Sequence, residues 1–130
     1  MYLLDTHILI WFIENSPKLP EFLRNLIGRS DDLNIYVSIA SFWEMAIKVS
    51  KKKLTLIDSV QDIMRICSDE LHFLILNIKA AHLKELEKLD FHHNDPFDRL
   101  IISQAIAENM TLISADKYIK AYPVKWLWQD

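Results

Sequence analysis

Glycine and cysteine each occur once in these 130 residues, and proline four times. A sole glycine, Gly28, cannot build a glycine-rich phosphate loop. A sole cysteine, Cys67, excludes an intramolecular disulfide and a cysteine-type zinc site, and its place on an apolar helical face reads as inert core. Ser/Gly-rich linkers and repeats of fixed period are missing, which argues against a disordered or solenoid chain. The longest apolar run, Ile8 to Ile13, follows Asp5 rather than a basic segment, so it fits neither a signal peptide nor a membrane span. The expectation is a cytoplasmic protein with no membrane association. Positive charge is not in excess either: 15 Lys and Arg face 18 Asp and Glu, for a net charge of −3. Binding of nucleic acid by bulk positive charge is thereby disfavoured, and any such function must be local.

What is present is the apolar content of an ordinary globular chain, with 51% hydrophobic and 25% charged residues. That suits one domain over residues 1–130 with a sizeable core. Tyr2 to Leu4, Ile35 to Val37, Phe73 to Ile78 and Thr111 to Ile113 have the composition of buried strands, with Val124 to Trp128 as a last edge strand. Helical spacing marks His7 to Ile13, Glu21 to Ile27, Phe42 to Ser50, Val60 to Ser68, Ala80 to Leu89 and Phe97 to Asn109. Strands with no polar face alternate with helices. This predicts a three-layer α/β domain, a central parallel sheet flanked by helices.

Ligands of open parallel sheets bind beyond the carboxyl ends of the strands. Four acids are aimed there: Asp5 after the first strand, Glu44 in the first turn of the helix after the second, Asp98 opening a late helix, and Asp116 after Thr111 to Ser114. Each has an ordinary explanation. Asp5 can cap a helix, and Ser41-x-x-Glu44 matches a capping box. Asp95-Pro96-Phe97-Asp98 resembles a helix start with Asp95 as the cap, and Ser114-Ala115-Asp116 a polar turn. None of these accounts explains why all four fall at one edge. Clustered carboxylates repel and call for a cation, and oxygen-only donors select Mg²⁺ or Mn²⁺ over zinc. Such an ion with phosphates is the inventory of phosphodiester hydrolysis.

Other side chains compete with the acids for a functional reading. His7, His92 and His93 with Asp95 form a competing transition-metal constellation, disfavoured because a loop His pair lacks helical ligand spacing. His92 and His93 read better as orienting the loop or approaching a phosphate, and His72 and His82 as surface or boundary positions. Trp11, Phe12 and Trp43 read as core, with an exposed aromatic surface for a protein partner as the alternative. The run Lys48, Lys51, Lys52 and Lys53 either complements a helix carboxyl end or guides a phosphate backbone.

Three stretches together resemble a known family: Leu4-Asp5-Thr6-His7 with Trp11, Ser41 to Lys48, and above all His92-His93-Asn94-Asp95-Pro96-Phe97-Asp98-Arg99 continuing to Ala105. They are similar to the PIN-domain ribonuclease toxins, the VapC family of VapBC toxin–antitoxin systems. The resemblance runs from Leu4 to Trp128. It implies a PIN fold, Mg²⁺- or Mn²⁺-dependent endoribonuclease activity leaving 5′-phosphate and 3′-hydroxyl ends, a homodimer, and a cognate antitoxin occupying the acidic cleft. It also implies that Asp5, Glu44, Asp98 and Asp116 are the catalytic, metal-binding acids, with Thr6 and Ser114 as polar support beside the capping Asp95. Lys48, Lys51, Lys52, His92, His93 and Arg99 are the candidates for RNA contact. Ser114-Ala115-Asp116 stands where the family often has Thr-x-Asp. Two other functions fit the same residues: a PIN-like protein-interaction module with weak or no catalysis, and a metal-dependent phosphatase of small molecules.

Overall fold

A computed structural model describes residues 1–128, so residues 129–130 of the expected single domain lie outside the described ones. Five short strands, β1 (Tyr2–Leu4), β2 (Ile35–Ser38), β3 (Leu74–Leu76), β4 (Thr111–Ile113) and β5 (Lys125–Leu127), form one sheet in the order β3-β2-β1-β4-β5. Every pairing is parallel. Six α-helices intervene: α1 (Thr6–Ile13), α2 (Glu21–Ile27), α3 (Ile39–Ser50), α4 (Val60–Arg65), α5 (Ala80–Lys88) and α6 (Pro96–Glu108).

The strands lack a polar face because both faces are covered. Successive side chains point to opposite sides of a strand, so Leu4, Val37 and Ile113 enter one core while Leu3 and Leu112 enter the other. The first core is completed by Ile8 and Leu9 of α1, Leu23 and Ile27 of α2, Met45 of α3 and Ile63 of α4. The second is completed mainly by α6, through Leu100, Ile101, Ile102 and Ala105. This is the expected three-layer α/β arrangement.

Most boundaries hold or shift by one or two residues, and two shift by three for local reasons. Helix α3 begins at Ile39, three residues before Phe42, because Ser38 caps it by accepting the Ala40 N–H at 3.0 Å. The Ser41–Glu44 capping box therefore does not form, and Glu44 lies in the second turn rather than the first. Helix α4 stops at Arg65 and a π-helical turn, Ile66–Glu70, takes over before β3. At the far end of α6, Asn109 adopts φ 56°, a left-handed cap that asparagine tolerates.

Strand order places the site. From the central β1 the chain moves outward through β2 and β3, then returns to the other side of β1 as β4. The switch point lies between the carboxyl ends of β1 and β4, where the connecting loops part and leave a crevice.

Candidate active site

Asp5 leaves β1 at that crevice, its N–H donating to the Ile113 carbonyl at 3.1 Å. Its carboxylate caps α1 by accepting the Ile8 N–H at 2.9 Å. The capping expectation was thus correct, and capping coexists with a place in the site. Ser114, directly after β4, hydrogen-bonds the same carboxylate through its hydroxyl and accepts the Asp116 N–H at 3.0 Å. Burial pushes the Asp5 carboxyl above the usual carboxylate range, against the pull of Ser114 and the Ile8 N–H.

Asp116 and Asp98 approach from β4 and α6. Asp116 uses Oδ1 to accept the Tyr118 N–H at 2.9 Å, and its Oδ2 lies 2.8 Å from His93 Nε2. Asp98 Oδ2 lies 3.2 Å from the same nitrogen. His93 Nδ1 accepts the Asp95 N–H at 3.0 Å, so its proton sits on Nε2, between the two aspartates. Asp95 caps α6 as expected, accepting from Phe97 N–H at 2.9 Å and Asp98 N–H at 3.0 Å. The Asp98 carboxyl is pushed up to about 7, first by burial and then by the charges of Asp95, Asp5 and Glu44, with His93 opposing. Asp5, Asp98 and Asp116 line one cavity of about 270 Å³ with His7, Trp11 and Ala115.

The fourth acid is placed differently. Glu44 is buried in α3, with Oε1 2.7 Å from Thr6 Oγ1 and Oε2 2.5 Å from Lys48 Nζ. Thr6 Oγ1 also lies 3.0 Å from Ser41 Oγ. A hydroxyl has one proton and a carboxylate none, so Thr6 donates to Glu44 and Ser41 to Thr6. Glu44 reaches the cavity through its charge on Asp98, not as part of the lining.

Several other expectations change. Arg99, a candidate for RNA contact, is buried, and its guanidinium donates to the carbonyls of Asp90 at 2.8 Å, Leu89 at 3.1 Å and His93 at 3.4 Å. It also stacks 3.7 Å over the Phe91 ring. Its role is to pin the loop that carries His93. Tyr122, which no sequence pattern singled out, does the same: its hydroxyl accepts the N–H of His92 at 3.0 Å and of His93 at 2.8 Å. The His92 ring packs edge-on against Tyr122, and the constellation of His7, His92, His93 and Asp95 is not assembled. Lys51 and Lys52 are exposed beyond the end of α3. His72 is at the surface, as expected, whereas His82 is wholly buried. Trp43 is not core; it is 54% exposed and lies edge-on to Phe97 at 4.9 Å.

The donor set fits a hard divalent cation. Asp98 and Asp116 each present a carboxylate oxygen within 4.8 Å of the other, and Asp5 opens into the same cavity. The Asp5 and Asp98 carboxyls, raised by burial and then by neighbouring negative charge, are relieved when a cation joins them.

Residues 2–125 match the PIN domain family. Similar solved structures include a chain of VapBC2 from Rickettsia felis bound to a promoter DNA fragment, with 26% identity, 98% of each chain covered and a TM-score of 0.74. VapBC-1 from nontypeable Haemophilus influenzae shares 20% identity over 97% of this chain and 96% of that one, with a TM-score of 0.66. A toxin–antitoxin complex from Klebsiella pneumoniae shares 16% over 98% and 97%, with a TM-score of 0.65. No curated protein matches the chain in sequence. Among the described residues no helix is long and apolar enough to cross a membrane. With its parallel five-stranded sheet, its acids at the switch point and a family match over nearly its whole length, the chain belongs to the PIN domain family.

Proposed function

We propose that this chain is a metal-dependent endoribonuclease and the toxin of a type II toxin–antitoxin pair. One observation carries the catalytic reading: Asp5, Asp98 and Asp116, from three separate stretches of sequence, line one cavity at the switch point. The chain's likeness in fold to chains of toxin–antitoxin complexes supports the biological one. Asp5, Asp98 and Asp116 hold the ion, and Glu44 adds negative charge from behind the cavity wall. Mg²⁺ or Mn²⁺, when bound, makes a water more acidic and offsets the charge on a phosphodiester. His93 orients Asp98 and Asp116 through its Nε2 proton, and Ser114 orients Asp5. Lys48, Lys51 and Lys52 lie along and beyond α3, where their charge favours an RNA backbone. A cognate antitoxin, a homodimer and a cytoplasmic setting belong to the same proposal.

The test compares RNA with small phosphate esters, each with Mg²⁺, with Mn²⁺ and with EDTA. Endonucleolytic RNA cleavage that needs metal and leaves 5′-phosphates supports the proposal. Turnover of the small esters alone would make the chain a phosphatase, and no turnover of either would leave an interaction module.

A further inference from the structure

Both oxygens of Glu44 are engaged by the protein itself, Oε1 by Thr6 at 2.7 Å and Oε2 by Lys48 at 2.5 Å, and its side chain is only 3% exposed. Lys48 follows Glu44 by four residues on α3, so the helix alone brings the pair together. The ammonium also meets the field of Asp95 and Asp98 at the start of α6; the Glu44 hydrogen bond, before these charges, raises its pKa. Lys48 is not sealed in. Its side chain is 37% exposed and lines a cavity with Thr6, His7 and Trp11. His7 and Trp11 also line the cavity of the three aspartates, so the two cavities share a wall.

Resting on the nuclease reading above, we propose that Lys48 is a tethered cation of the acid cluster. Its ammonium takes the place a second divalent ion would occupy at Glu44, so the three aspartates hold a single ion. A divalent ion at Glu44 would have to share that buried carboxylate with the Lys48 ammonium, against the repulsion of like charges a few ångströms apart. Charge points the same way. One divalent ion with the ammonium leaves the four acids still negative; two divalent ions with the ammonium would reverse the sign before any phosphate arrived. In this role Lys48 is a positioning residue, keeping Glu44 against Thr6 and away from the ion.

The experiment is a Mn²⁺ titration of the metal-free full chain at one pH, read by calorimetry and by the EPR signal of free Mn²⁺. Wild type should bind one ion per chain. Lys48→Met frees Glu44 and removes a repelling charge, so it should bind Mn²⁺ at least about tenfold more tightly or take up a second ion. Lys48→Arg, which keeps the charge, should behave as wild type. The double variant Glu44→Gln with Lys48→Met deletes the pair without changing net charge, and should stay within about threefold of wild type. It also removes the unpaired buried carboxylate, so it decides the matter alone if Lys48→Met does not fold.

Two ions in the wild type, unchanged or weaker binding by Lys48→Met, or a double variant that loses Mn²⁺ as fully as Asp98→Asn would each overturn the assignment. Mn²⁺ binding that Asp98→Asn abolishes and Lys48→Met leaves alone sinks the lysine proposal only. A wild type that binds no Mn²⁺ sinks the nuclease reading, and this proposal with it.

Discussion

Helix α6 holds a polar cluster at each end, and the two differ in balance. At its carboxyl end Glu108 Oε2 lies 2.7 Å from Nε2 of the wholly buried His82, with Lys79 Nζ 3.7 Å away. His82 Nδ1 accepts the Lys79 N–H at 3.0 Å and lies 3.2 Å from the Gln104 amide nitrogen. Gln104 in turn accepts the Ser38 hydroxyl at 2.5 Å. At the amino end Asp98 faces Asp5, Asp95 and Glu44 with His93 as the opposing partner. A helix dipole favours a carboxylate at the amino end and disfavours one at the carboxyl end. The observed order is the reverse: the Asp98 carboxyl is pushed up to about 7, while His82 holds Glu108 below the usual range. Partners and burial outweigh the dipole. The balanced cluster ties α5, α6 and the start of α3 together; the unbalanced one keeps a cost that only something added to the protein can relieve.

The sharpest way to separate the clusters is Asp98→Asn. It should lower metal-dependent RNA cleavage at least about a hundredfold, while the metal-free protein melts at the same temperature or higher. Lost cleavage with a lower melting temperature would put Asp98 in the structural class. His82→Ala should show the opposite profile. Losing a satisfied buried network costs about 2–4 kcal/mol, roughly 8–15 °C in melting temperature for a chain of this size. Cleavage measured well below melting should stay within about threefold of wild type; a loss as deep as that of Asp98→Asn would erase the contrast.

A smaller effect should follow pH. The Asp98 pKa of about 7 exceeds its ordinary 3.8, so the folded state favours the protonated acid. Its contribution is full below about pH 4 and is lost as pH rises through about 7, with Asp5 shifted in the same direction. Glu108 is lowered, so its contribution holds above its ordinary range and is lost only toward acid pH. Scanning calorimetry of metal-free protein should therefore give a lower melting temperature at pH 8 than at pH 5. Millimolar Mg²⁺ or Mn²⁺ should recover stability at pH 8, and Asp98→Asn should flatten the dependence without metal. A metal-free melting temperature that climbs from pH 5 to pH 8 would contradict the assignment of strain to this cleft.

The least effect is expected for Asp95→Asn. Asparagine caps a helix about as well, so stability should change by less than about 0.5 kcal/mol and most cleavage should remain. An inactive, metal-deficient Asp95→Asn beside a near-normal Asp98→Asn would show that the wrong aspartate had been assigned to the ion.

The layers of the fold were legible because β1 and β4 carry apolar residues on both faces, a pattern that only two-sided burial explains. Asp5, Asp98 and Asp116 could be placed from strand ends and a helix start, since connectivity alone delivers them to one edge. Glu44 was placed at that edge too, but its engagement by Thr6 and Lys48 depends on how α1 packs against α3, which no local pattern encodes. The early start of α3 was missed because Ser38 and Ser41 are equally good caps, and the choice falls to pairing along β2. His93 and Arg99 lie in one motif and have different fates. An imidazole between two carboxylates and a guanidinium over backbone carbonyls both follow from the path of an irregular loop. His82 reads as a surface or boundary position and is buried instead for a similar reason: its partners Gln104 and Glu108 come from another helix.

The pairing of β1 with β4 sets Tyr2 beside Thr111. Such remote contacts make folding slow, and during synthesis β1, β2 and β3 can assemble while β4 has yet to leave the ribosome. Until β4 docks, Asp5 stands on an open sheet edge and has no Asp116 opposite it. A chain in which β4 has not yet docked therefore lacks the assembled acid cluster. If the product is an enzyme that cuts RNA, this topology keeps the growing polypeptide harmless to the message encoding it, and gives a partner made at the same time an interval in which to bind.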